Sequence, residues 1–166
     1  MRSRSALAKL TAAGVAAAAM VTACGFHLEG HTPLPESLRT PYVETQDRQS
    51  DFVQSLQRAL LSDGAHLAPD RDKASATVNI LKDNLKRRVV SVSNLNQPNE
   101  YEITYTVTFS VSAGDKELLA PQDVSATRVF SFNESQLLAK GNEEDVLRTA
   151  MAHDLADMVM RRLARL

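Results

Sequence analysis

Cys24 is the only cysteine in the 166-residue chain, and it closes the run Val21-Thr22-Ala23-Cys24. A thiol is a nucleophile once deprotonated, and an intramolecular disulfide is excluded because no second thiol exists. An aliphatic residue, two small residues and cysteine match a lipobox. There the small side chains let a peptidase reach the bond before the cysteine, and the thiol takes the lipid. The flanking sequence agrees. Arg2, Arg4 and Lys9 precede a small and apolar stretch, Leu10 to Val21, with no acid among residues 1–23. That is the basic and then apolar order of an export signal, too short to span a bilayer. Residues 1–23 are therefore expected to be a lipoprotein signal peptide. Cys24 is the lipidation site, carrying fatty acyl chains that anchor the mature chain to a membrane without threading it. Gly25, where an aspartate would signal inner-membrane retention, points to the outer membrane.

Other reactive groups do not assemble into a catalytic set. His27 and His31 stand four apart in a proline-bounded stretch with no third ligand, so no metal site is expected. His66 follows a turn and His153 falls in a helical pattern beside Asp154; both read as surface or boundary residues. There is no G-x-S-x-G elbow and no glycine-rich phosphate loop. The expectation is a protein that is not an enzyme and needs no cofactor. The basic residues offer a different chemistry. Lys86-Arg87-Arg88 lies in an extended segment, whose alternation sends Lys86 and Arg88 to one face and Arg87 to the other. Guanidinium forks match phosphate, although a solvated face or protected edge would use the same residues. Lys140 in Leu137-Leu-Ala-Lys-Gly-Asn142 is expected in a loop just before the last helix. Its ammonium and the positive helix end could together hold a phosphate, or it is an ordinary loop lysine.

The elements that must position these groups are legible. A short strand is expected over Pro41–Thr45, followed by a helix over Asp51–Ser62, with Phe52, Leu56, Ala59 and Leu60 at helical spacing. Asp51 and Gln54 suggest a capping box, and Asp63-Gly64 ends the helix. Ala74–Val92 reads as extended, with Asn94–Asn99 as the hairpin loop. From Tyr101 to Val111, apolar and polar residues alternate, giving one buried and one wet face. Ala113-Gly114-Asp115 makes the next turn, and Val124–Phe132 the fourth strand, with Val124, Ala126, Phe130 and Phe132 inward. A final helix is expected from Glu143 to about Arg165, capped by Asn142. Its apolar stripe is Val146, Ala150, Met151, Leu155, Met158, Val159 and Leu163. Glu143, Glu144 and Asp145 suit its positive end. The order β-α-β-β-β-α predicts an α+β fold, two helices on one face of a four-stranded, mostly antiparallel sheet. Residues 24–37 form a lipidated tether and 38–166 a single domain. Without residues 1–23 the chain has 16 basic and 20 acidic side chains, a net −4 that gives no reason to expect nucleic acid.

Three segments carry a resemblance: Ala23-Cys-Gly-Phe-His-Leu28, Asn99-Glu-Tyr-Glu-Ile-Thr-Tyr-Thr-Val107 and Phe132-Asn-Glu-Ser-Gln-Leu-Leu-Ala-Lys-Gly-Asn-Glu-Glu-Asp-Val146. In that order they resemble the LptE family of LPS-assembly lipoproteins. The resemblance implies a lipoprotein that sits in the lumen of the outer-membrane barrel LptD as plug and assembly partner, and binds lipopolysaccharide. It implies Lys140 as a contact for lipid A phosphate. Asn94 stands near where some relatives carry an arginine, so Arg87 or Arg88 is the expected substitute. An envelope lipoprotein with a different ligand and no barrel is the alternative reading.

Overall fold

The computed structural model describes the backbone of residues 34–131 and 137–166, and the side chains of 34–131 and 144–166. Residues 1–23, expected to be a signal peptide, and Cys24, His27, His31 and Phe132 lie outside the described residues. The elements are β1 (Pro41–Glu44), α1 (Asp51–Ser62), β2 (Ala76–Val92), β3 (Pro98–Ala113), β4 (Lys116–Ser131) and α2 (Leu137–Leu163). The sheet order is β1-β2-β3-β4. β1 pairs parallel with β2 across α1, and β2–β3–β4 form an antiparallel meander. The predicted α+β architecture, two helices and a four-stranded mixed sheet, is the one observed.

Alternation in β3 does what period two demands. Ile103, Tyr105, Val107, Phe109 and Val111 are buried, while Thr104, Thr106, Thr108 and Ser110 keep partial exposure on the other face. Phe52, Val53, Leu56 and Leu60 of α1 and Met151, Leu155, Val159 and Leu163 of α2 complete one core. Gly64 adopts φ +84°, a left-handed conformation that glycine reaches without steric cost just past the end of α1.

Four features differ from expectation, each for a local reason. The N-cap of α1 is Ser50, whose hydroxyl accepts from the Val53 amide at 3.1 Å, not a box begun by Asp51. Asp51 instead holds Arg148 of α2 at 2.6 Å. β4 begins at Lys116 rather than Val124. Its first half is only partly buried, through Leu118 and Leu119, and contains Pro121, which an outermost strand tolerates because one side of its backbone has no partner strand. α2 begins at Leu137 rather than Glu143, since Leu137, Leu138, Ala139 and Lys140 are strong helix formers and Gly141 costs only about 1 kcal/mol. Asn142 is thus no N-cap, and Glu143–Asp145 lie beyond the first turn. Finally, Val146 is 69% exposed and Ala150 is exposed as well. The fully buried stripe starts at Met151, because the 27-residue α2 outruns the 12-residue α1, roughly 40 Å against 18 Å at 1.5 Å per residue.

Candidate functional site

β1 pairs with β2 only over Ala76–Asn79. From there β2 continues with β3 as a long hairpin, and its phase is set by a bulge. Ile80 faces Phe109 but Lys82 faces Thr108, so Leu81 is the extra residue. The slip puts Asp83, Leu85, Arg87 and Val89 on the helix-facing side, opposite Val107, Tyr105, Ile103 and Tyr101. Lys82, Lys86 and Arg88 go to the other side with Thr108, Thr104 and Glu102. Arg87 and Arg88 therefore point to opposite faces, as alternation predicts.

Each arginine is exposed but already paired with an acid of the fold. The Arg87 Nη1 donates to Glu144 Oε2 of α2 at 3.1 Å, and its guanidinium lies 4.9 Å from the centre of the Tyr101 ring. Tyr101 in turn stacks on Phe130 of β4 with centroids 5.7 Å apart. On the wet face Arg88 grips Glu102 with both arms of its fork, at 2.6 and 3.1 Å. That hydrogen bond holds the Glu102 carboxyl below its ordinary range and raises the Arg88 guanidinium. The same face carries Thr104 bonded to Thr127 at 3.2 Å and Thr108 donating to Asp123 at 2.6 Å, a polar ladder across β3 and β4.

Lys140 falls within α2, not in a loop before it, so it is placed by helix geometry. Its backbone lies one helical turn before Glu144, the partner of Arg87. Three of the four expected site residues are thus in the folded domain, with Arg87 and the segment bearing Lys140 linked through Glu144. Cys24 lies outside the described residues. Glu144 escaped sequence reading because an acid near a presumed helix start needs no further explanation. Tyr101 was visible in the alternation, but nothing local shows that its ring meets an arginine.

A hollow of about 480 Å³ opens where β1 ends, lined by Thr45, Asp47, Ile80, Lys82, Asp83 and Asn84 among others. Among the described residues no cluster of His, Cys, Asp or Glu is arranged to hold a metal. The carboxylate at its inner wall has a structural duty: Asp83 accepts from the Ser50 hydroxyl, tying the hairpin to the cap of α1. Burial raises the Tyr105 phenol above its ordinary value, and Asp83 beside it pushes the same way. A phenol whose folded pKa is raised contributes stability that is complete below pH of about 10 and is lost as pH climbs toward the folded value. Tyr105→Phe is expected to cost about 1 kcal/mol at pH 8 through loss of the hydroxyl's hydrogen bond with Asp83. It is also expected to show a smaller further loss between pH 8 and 11 than the parent. Urea midpoints at the two pH values check this, and an equal alkaline loss in both proteins would refute it.

Comparison with known proteins places the whole folded region. Residues 38–163 match the family LptE, described as lipopolysaccharide-assembly. The LPS-assembly lipoprotein LptE of Pectobacterium atrosepticum is 26% identical over 148 residues, 88% of this chain and 80% of that protein. The protein of the same name from Photorhabdus laumondii is 25% identical over 147 residues, with the same coverage. Among solved structures, lipoprotein B of Nitrosomonas europaea superposes with a TM-score of 0.68 at 25% identity, covering 84% of this chain and 90% of that one. A minor lipoprotein of Acinetobacter baumannii gives 0.65 at 18% identity, over 80% and 94%, which speaks to the fold alone.

Proposed function

The chain belongs to the LptE lipopolysaccharide-assembly family, and from that premise we propose that it is an outer-membrane lipoprotein that plugs the LptD barrel, assists its assembly and binds lipopolysaccharide. The carrying observation is the family match over residues 38–163, which spans every element of the sheet and both helices. Cys24 supplies the lipid anchor, and Lys140 contacts the phosphates of lipid A. The polar face of β2–β4, with its threonine ladder and the Arg88–Glu102 fork, suits a water-filled barrel lumen, where satisfied polar groups face solvent and wall alike. The role is one of binding and assembly, and no residue is assigned to catalysis.

The hairpin tip gives the test. Leu95, Asn96 and Gln97 are exposed, and Asn96 holds φ +58°, so Gln97 is the safer position for a photo-reactive side chain. Cross-linking from Gln97 in intact cells is expected to capture LptD. Capture of small soluble proteins alone would favour an envelope lipoprotein that acts without a barrel.

A further inference from the structure

We propose that Arg87 and Glu144 form a latch that positions the first turns of α2, and with them Lys140, for the lipid. Arg87 is then a positioning residue and not itself a lipid contact. The inference rests on the lipopolysaccharide reading above and adds to it the device that aims its lysine.

The need for a latch follows from where α2 is anchored. From Met151 onward the helix is fixed by buried apolar side chains. N-terminal to that point, Val146 is exposed, Leu147 is only partly buried against the core, and the other anchors among the described side chains are polar. Glu144 meets Arg87 of β2 at 3.1 Å, and Arg148 meets Asp51 of α1 at 2.6 Å. Glu144 and Arg148 are four residues apart, hence stacked on one side of the helix one turn apart. Two contacts with different elements on one row fix both the lean of the helix and its rotation about its axis. Lys140 is the next position of that row, again four residues away. Its azimuth is therefore set by the same two contacts.

Arg87 is built for holding. Its guanidinium face rests against Tyr101, which Phe130 backs, while its edge serves Glu144. A cation stacked on a ring and paired at its edge has its orientation fixed, and the Nη1 edge of Arg87 is committed to Glu144. A phosphate bound at the edge that serves Glu144 would displace that carboxylate and so release the segment that carries Lys140.

The experiment measures lipopolysaccharide affinity and amide hydrogen exchange of the α2 amides on the folded mature chain. The variants are Arg87→Ala, Glu144→Gln, the exchanged pair Arg87→Glu with Glu144→Arg, and Lys140→Asp. Arg87→Ala and Glu144→Gln are each expected to weaken binding by about two- to fivefold, the scale of an exposed ion pair, and to speed exchange in the first turns of α2 alone. The exchanged pair is expected to recover the protection and most of the affinity. Lys140→Asp is expected to lose about tenfold or more in affinity with protection unchanged. If Glu144→Gln tightens binding while Arg87→Ala weakens it, Arg87 is a direct contact and the latch is wrong. Unchanged affinity in both, beside a loss in Lys140→Asp, overturns the latch and leaves the lipid reading standing. Unchanged affinity in Lys140→Asp overturns the lipid reading, and with it any purpose of the latch in lipid binding.

Discussion

Phe109→Ala is expected to destabilise the domain by about 3–5 kcal/mol, enough to remove a large share of the roughly 5–15 kcal/mol that holds a domain of this kind together. Phe109 is fully buried in the C-terminal half of β3, between Ile80 of β2 and Gln122 of β4. It belongs to the same core as Phe52 and Leu56 of α1 and Met151 and Leu155 of α2. Truncating it removes apolar burial and leaves a void between sheet and helices, which backbone pinned by strands on both sides cannot collapse to fill. The comparison is Val129→Ala on the same sheet. Val129 is 57% exposed on the opposite face, so its truncation is expected within about 0.5 kcal/mol of neutral. Urea unfolding of the two variants beside the parent measures both. A loss below about 1 kcal/mol for Phe109→Ala would mean that the core is not seated as described.

The parts of this fold that were legible in the sequence are those where one physical rule acts alone. Tyr101 to Val111 alternates without interruption, and α1 shows its apolar spacing and its Asp63-Gly64 stop, so both were bounded within a few residues. Elsewhere two rules competed. Ser50 and Asp51 are equally good caps by type. The chain decides for Ser50, whose extended backbone, φ −59° and ψ 142°, brings its hydroxyl to the Val53 amide. Gly141 and Asn142 look like a break, yet the leucines before them carry the helix through. Lys116–Asp123 lacks the apolar alternation of a half-buried strand: its two apolar residues against the core, Leu118 and Leu119, are adjacent, and most of the rest of this stretch of an outermost strand is exposed.

The candidate site was legible in a different proportion. Sequence alone separates Arg87 from Arg88, since neighbours on a strand must diverge. It does not say which of them faces the helices. That choice is made by the bulge at Leu81, and an unbroken alternation from Ile80 would have sent Arg88 inward and Arg87 outward. The partners were further out of reach. Glu144 is 57 residues from Arg87 and Asp51 is 97 from Arg148, distances over which no local pattern speaks. What looked like free basic residues for an anion are, for both arginines, charges already answered by the fold.

Cys24→Ala is expected to abolish lipid attachment altogether and to leave residues 1–23 uncleaved. The argument is chemical: an alanine side chain has no nucleophile to take the acyl-bearing group, and cleavage before the cysteine follows that modification. The consequence for location is equally steep. Each buried methylene of a lipid chain contributes about 0.8 kcal/mol to membrane binding, and stable anchoring takes more than one chain. A protein without its lipid therefore has only protein contacts to keep it at the membrane, and among the described residues no helix is long and apolar enough to cross one. The fold should be indifferent, because Cys24 precedes the matched region 38–163 and every residue of the core. Metabolic labelling with a radioactive fatty acid, the intact mass of the purified chain and its urea midpoint read the three consequences separately. Cys24→Ser sharpens the test, since its hydroxyl keeps the size and polarity of the site while changing the nucleophile. A labelled and cleaved product from the alanine variant would place the anchor elsewhere. Loss of label with a lowered urea midpoint would show that the segment around Cys24 packs on the domain it is expected only to tether.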